Sequence, residues 1–92
     1  MTYFIDIDNT ICLTNGNDYR SAKPWPDKIS AVNDLFDQGH RIVYWTSRGG
    51  TSGKDWTELT EKQLKVWGCR YDELRMDKPS YDFIIDDKMT TI

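Results

Sequence analysis

Cysteine is scarce in this chain: Cys12 and Cys69 stand alone, too few for a disulfide framework and without the paired spacing of a zinc site. Both are expected to be ordinary reduced thiols. No signal peptide is recognisable, and no apolar run approaches the roughly 20 residues needed to span a bilayer. A soluble, cytoplasmic protein with no membrane partner is the expectation. Low-complexity tracts, linkers and internal repeats are absent as well. The one histidine, His40, follows Gly39 at the start of an expected strand, a surface position rather than a catalytic one. The net charge of −3 disfavours non-specific binding to a polyanion while leaving room for a local basic patch that holds a phosphate.

What is present is enough for one small core. At 92 residues the chain is read as a single domain over 1–92, because two cores would leave each half too small to hold together. A hydrophobic share of 38% and an aromatic share of 13% fit a folded globule. The four Trp and five Tyr compensate for size by burying large areas per residue.

Three short β-branched or aromatic runs, at residues 3–7, 41–46 and 82–86, read as strands, each carrying a polar residue at its carboxyl end. Between the first two, Pro26 and Asp27 open a helix that puts Ile29, Val32, Leu35 and Phe36 on one face and stops at Gly39. Between the second and third, residues 55–67 form another helix, with Trp56, Leu59, Leu64, Val66 and Trp67 on a broad face and Gly68 as the stop. Alternating strands and helices predict a parallel sheet with right-handed crossovers. The expected fold is a minimal Rossmann-like, three-layer α/β/α arrangement with three strands and no cap domain. Residues 71–76 are expected to be irregular, since too few residues remain to return across the sheet before Asp82. Residues 11–26 make a connection longer than usual, expected to have a function or some structure of its own.

The chemistry gathers at the strand ends. Asp6 closes the first run and Asp8 follows two residues later, so both carboxylates can point the same way. Asp86 and Asp87 close the third run. Carboxylates converging on one edge form a hard-oxygen site suited to magnesium; either pair alone reads equally well as turn or cap residues.

Asp6-Ile7-Asp8-Asn9-Thr10 after an apolar strand resembles the first motif of haloacid dehalogenase-type phosphatases. Tyr44-Trp45-Thr46 resembles their second motif and Ile84-Ile85-Asp86-Asp87 their acidic fourth. Within that superfamily, Trp45-Thr46-Ser47-Arg48-Gly49 and the stretch 78–88 are most similar to small capsule-biosynthesis phosphatases, and the phosphatase domain of polynucleotide kinases also has an Arg after its second motif. The resemblance implies that Asp6 is the nucleophile and forms an aspartyl phosphate, with Asp8 as acid and then base. It implies Mg2+ held by Asp6, by the backbone carbonyl of Asp8 and by Asp86 or Asp87. Thr46, with Ser47 beside it, would bind the phosphoryl group, and Arg48 would add a charged fork suited to phosphate.

The phosphate-binding Lys has three candidates, Lys54, Lys78 and Lys88. The resemblance in the Lys-Pro pair points to Lys78. Straight-strand geometry points to Lys88, because a rise of about 3.3 Å per residue over 78–86 would leave Lys78 at the opposite edge; Lys88 is therefore favoured. An uncapped site leaves selectivity to loop 11–26, where Tyr19, Arg20, Lys23 and Trp25 are the residues to test, to loop 47–54, or to a neighbouring subunit of a homo-oligomer. The expected reaction is hydrolysis of a small phosphomonoester, a sugar phosphate first. The alternatives are dephosphorylation of a nucleic acid end and a non-catalytic phosphate- or magnesium-binding module.

Overall fold

The computed structural model describes residues 1–50, 53–79 and 85–92. In chain order these form β1 (Thr2–Ile5), β2 (Cys12–Leu13), a 3-10 turn (Tyr19–Ser21), β3 (Lys23–Pro24), α1 (Pro26–Asp37), β4 (Arg41–Trp45), α2 (Thr57–Val66) and β5 (Glu73–Arg75). The parallel sheet has the order β1-β4-β5. Tyr3 lies beside Ile42, Ile5 beside Tyr44, and Tyr44 beside Leu74, so every second residue of each strand faces the same side. That side is the core: Ile5, Ile42 and Tyr44 pack with Ile29 and Val32 of α1 and Leu64 of α2, all buried.

Because the three strands follow one another across the sheet in a single direction, right-handed crossovers put both helices on one face. A second helical layer is not among the described elements. The opposite face carries Phe4 against Trp45, with ring centroids 5.6 Å apart, and the Arg75 guanidinium 5.4 Å from the Phe4 ring.

Both helices stop where glycine permits it. At the end of α1 the His40 N–H reaches the Leu35 carbonyl and the Gly39 N–H that of Phe36; at the end of α2, Cys69 and Gly68 repeat this pattern on Leu64 and Lys65. Such a closure needs a left-handed residue after the cap, and Gly39 and Gly68 have φ of 93° and 76°. Asn33 of α1 then ties that helix to the chain leaving α2, donating to the Gly68 carbonyl at 2.9 Å and accepting from the Arg70 N–H at 2.8 Å.

Three expectations change. Residues 73–75 are the third strand of the sheet. β5 pairs on the far side of β4 from β1, so these residues form a strand without any return across the sheet. Of the strand expected at 82–86, residues 82–84 lie outside those described, and Ile85 and Asp86 are exposed and not in a strand. In α2 the buried positions are Thr60 and Leu64, while Val66, at the margin of the apolar arc, is exposed. No helix among the described residues is long and apolar enough to cross a membrane.

Candidate functional site

β1 ends at Ile5, and the chain turns at once. The N–H groups of Thr10 and Ile11 both reach the Ile7 carbonyl, and the Asn9 N–H reaches that of Cys12. Asn9 takes φ of 60°, a left-handed conformation that Asn tolerates better than most residues, and its side chain accepts the Thr14 N–H at 3.1 Å. Ile7 and Ile11 are fully buried beneath the turn. The alternation of buried Ile with Asp at positions 5–8 therefore anchors the turn from below and leaves Asp6 and Asp8 half-buried at its rim.

The two carboxylates have different partners. Asp6 accepts the Ile7 N–H on Oδ1 at 2.8 Å, and its Oδ2 is 3.4 Å from the Lys78 ammonium. This overturns the placement of Lys78 at the opposite edge. β5 governs its position: the Thr46 N–H bonds the Arg75 carbonyl, the Lys78 N–H bonds that of Thr46 at 3.2 Å, and Trp45 Nε1 donates to Asp77 at 2.9 Å. The chain thus runs on beside the end of β4 and delivers Lys78 to Asp6. Lys88, favoured on straight-strand geometry, is exposed, and its N–H bonds the Asp86 carboxylate at 2.8 Å.

Asp8 is gripped by Arg48. Arg48 Nε donates to Oδ2 at 2.9 Å and Nη2 to Oδ1 at 2.8 Å, while the Thr14 hydroxyl donates to Oδ1 at 2.6 Å. Nη1 is held by the Thr60 hydroxyl at 3.1 Å and by Gln63 Oε1 at 2.6 Å. The Arg48 side chain is 0% exposed, and the Tyr19 ring covers the guanidinium at 4.8 Å. The expected fork for phosphate is therefore turned inward and occupied. An arginine this deeply buried requires a paired charge and filled donors, and Asp8 with Thr60 and Gln63 supplies them.

Thr46 follows β4 and is 1% exposed, its hydroxyl accepting the Arg48 N–H at 3.2 Å; Ser47 is half-buried next to it. Residues 11–26 do have structure of their own, the β2–β3 hairpin, which Trp25 closes by donating to the Ile11 carbonyl at 2.9 Å. Its tip rests on α2: Tyr19 meets Trp56 edge-on at 5.2 Å, Arg20 lies 5.2 Å over the same ring, and the Tyr19 carbonyl accepts from Gln63 at 2.6 Å. Burial pushes the Tyr19 phenol above its usual range. Lys54 also stacks on Trp56, at 4.4 Å. Tyr19, Arg20 and Lys54 thus serve packing, Lys23 is an exposed hairpin residue, and Trp25 lines an open hollow of about 1500 Å3 together with Asp6, Asn9, Thr10, Lys78 and Asp86.

Asp6 and Asp86 put hard oxygens on that hollow, a donor chemistry that suits magnesium. The Asp8 carboxylate is committed to Arg48, so any contribution from that residue falls to its main chain. Asp87 is exposed. Among the described residues no three acidic, His or Cys side chains gather to hold a metal. Thr14, Thr60 and Gln63 gave no signal in the sequence, because only the tertiary fold brings a hairpin hydroxyl and one helix face to Arg48.

No protein-family model matches the chain, and no curated protein matches it. Among solved structures, the chain is similar to the crystal structure of a structural-genomics target from Vibrio cholerae. The two are 27% identical with a TM-score of 0.85, over 98% of this chain and 82% of that one. A parallel α/β fold shared along nearly the whole chain is what that likeness establishes.

Proposed function

We propose that this chain is a magnesium-dependent phosphomonoester hydrolase of the haloacid dehalogenase type, with Asp6 as the nucleophile. The observation that carries the reading is the Asp6–Lys78 pair, a carboxylate oxygen 3.4 Å from an ammonium at the wall of an open hollow that runs beside β1. A carboxylate attacks phosphorus only when the negative charge on both groups is offset, and a nearby cation does this at the point of attack.

In this reading an Asp6 oxygen forms a bond to phosphorus as the bond to the leaving oxygen breaks, and Asp8 gives that oxygen its proton. Water then attacks the aspartyl phosphate, Asp8 takes the proton from the water, and inorganic phosphate leaves with the Asp6 carboxylate restored. Lys78 and the hydroxyls of Thr46 and Ser47 hold the phosphoryl oxygens. Bound magnesium would neutralise phosphoryl charge, held by Asp6, the Asp8 carbonyl and Asp86 or Asp87.

Asp6 and Lys78 face an open hollow that also runs along β1 from Met1 to Ile5, and an open site admits substrates from a sugar phosphate upward; the smaller class is the first choice. Turnover of a panel of sugar phosphates, set against a 3'-phosphorylated oligonucleotide, tests this. Release of phosphate from a sugar phosphate supports it, preference for the oligonucleotide moves the substrate to nucleic acid ends, and no turnover of any phosphomonoester leaves only a binding role.

A further inference from the structure

Arg48 is the most completely bonded charged side chain at the site, and its described side-chain bonds go to Asp8, Thr60 and Gln63. Its Nε and Nη2 grip both oxygens of Asp8, and Nη1 is anchored on α2 by Thr60 and Gln63. Gln63 in turn holds the Tyr19 carbonyl, and the Tyr19 ring lies over the guanidinium. Hairpin, helix and carboxylate are thereby joined through one buried group.

We infer that Arg48 is a positioning residue for Asp8, fixing the carboxyl from which the leaving oxygen receives its proton, and is not a phosphate ligand. The inference rests on the phosphatase reading and deepens it. A planar guanidinium bound to both oxygens sets the plane and distance of a carboxyl in a way that the single point charge of lysine does not. Proton transfer to a leaving oxygen needs the carboxyl within one hydrogen bond of it, and a displacement of about 1 Å is enough to lose that contact. Asp8 must free one oxygen to carry the proton. The grip leaves room for this without any turn of the carboxyl: Oδ1 accepts from Nη2 and Thr14, whereas Oδ2 accepts one described bond, from Nε, so its second lone pair can carry the proton on a side chain that is 20% exposed.

Leaving-group dependence separates this role from the others. An alkyl phosphate needs a proton on its departing oxygen, whereas a dinitrophenyl phosphate leaves as a stable anion without one. The value of kcat/KM reports the steps up to phosphoryl transfer, so the comparison isolates the acid. Arg48→Lys is expected to lower kcat/KM for the alkyl phosphate at least about 30-fold more than for the dinitrophenyl phosphate. Gln63→Leu, which removes one of the two anchors of Nη1 without touching Asp8, is expected to shift the ratio the same way by a smaller factor. It decides the matter if Arg48→Lys does not fold by circular dichroism. Equal losses on both substrates would overturn the inference, because a phosphate ligand or a purely structural residue slows both alike; an unchanged ratio would overturn it too. Asp6→Asn separates this failure from that of the underlying reading. If it stays active, the reading itself fails and the inference with it; if it is inactive while the ratio does not move, only the role of Arg48 is lost.

Discussion

Lys78 Nζ lies 3.4 Å from Asp6 Oδ2, although 72 positions separate the two residues in the chain (78 − 6), and Lys78 is only 10% exposed there. On the proposed mechanism this cation opposes the charge that builds on the phosphoryl group. Lys78→Ala is expected to lower turnover by at least about a hundredfold, the scale on which one pre-placed electrostatic group acts. Lys88→Ala should stay within about tenfold, because Lys88 is exposed and its described bond is a main-chain one to Asp86. Steady-state rates on one substrate, with circular dichroism to check folding, rank the two. The opposite ranking would assign the phosphate to Lys88.

Removal of divalent cations with EDTA should stop turnover, and added magnesium should restore it, since Lys78 alone does not offset the combined charge of Asp6, Asp86 and the phosphoryl group. Full activity after exhaustive chelation would make both carboxylates metal-independent.

The Cys69 thiol is pushed up to about 11 by burial, from an ordinary 9.0. Only the thiolate reacts with alkylating agents, so at pH 8 Cys69 should react about 100-fold more slowly in the native protein than in urea. Burial pushes Cys12 up as well. The folded state then binds more protons than the unfolded state between pH 9.0 and about 11, so stability should fall as pH rises through that window. Alkylation rates by mass spectrometry and urea midpoints at successive pH values check both statements. A midpoint that rises with pH across the window would contradict them.

Tyr44 is fully buried, and its hydroxyl lies near the Cys69 thiol without a hydrogen bond of good geometry. A buried hydroxyl that gains no bond loses its hydration for nothing. Tyr44→Phe should therefore leave stability unchanged or raise it by up to about 1 kcal/mol, measured by urea unfolding. A loss of more than about 1 kcal/mol would mean that the hydroxyl is well bonded in solution.

The elements that the sequence made legible are those fixed by local chemistry. Pro26 and Gly39 bound α1, Gly68 ends α2, and the apolar runs at Ile5 and at Ile42 to Tyr44 lie in β1 and β4. Glu73–Arg75 escaped because a three-residue strand has no periodicity to detect and owes its place to pairing with β4. The same pairing explains the misplaced lysine: no local pattern tells that the segment after Arg75 continues beside Thr46. Arg48 could be singled out as a charge at a strand end. Its partners Thr14, Thr60 and Gln63 come from a hairpin and a helix, so the direction in which its fork faces is a property of tertiary packing alone.

The central claim is a covalent bond between Asp6 and phosphorus. Acid quenching of the protein with a dinitrophenyl phosphate during turnover, followed by peptide mass spectrometry, tests it most directly. The account predicts one added phosphoryl group on the peptide carrying Asp6, lost on mild base treatment and absent in Asp6→Asn, which is also inactive. Turnover without any phosphorylated peptide, or an Asp6→Asn protein as active as the parent, would contradict it.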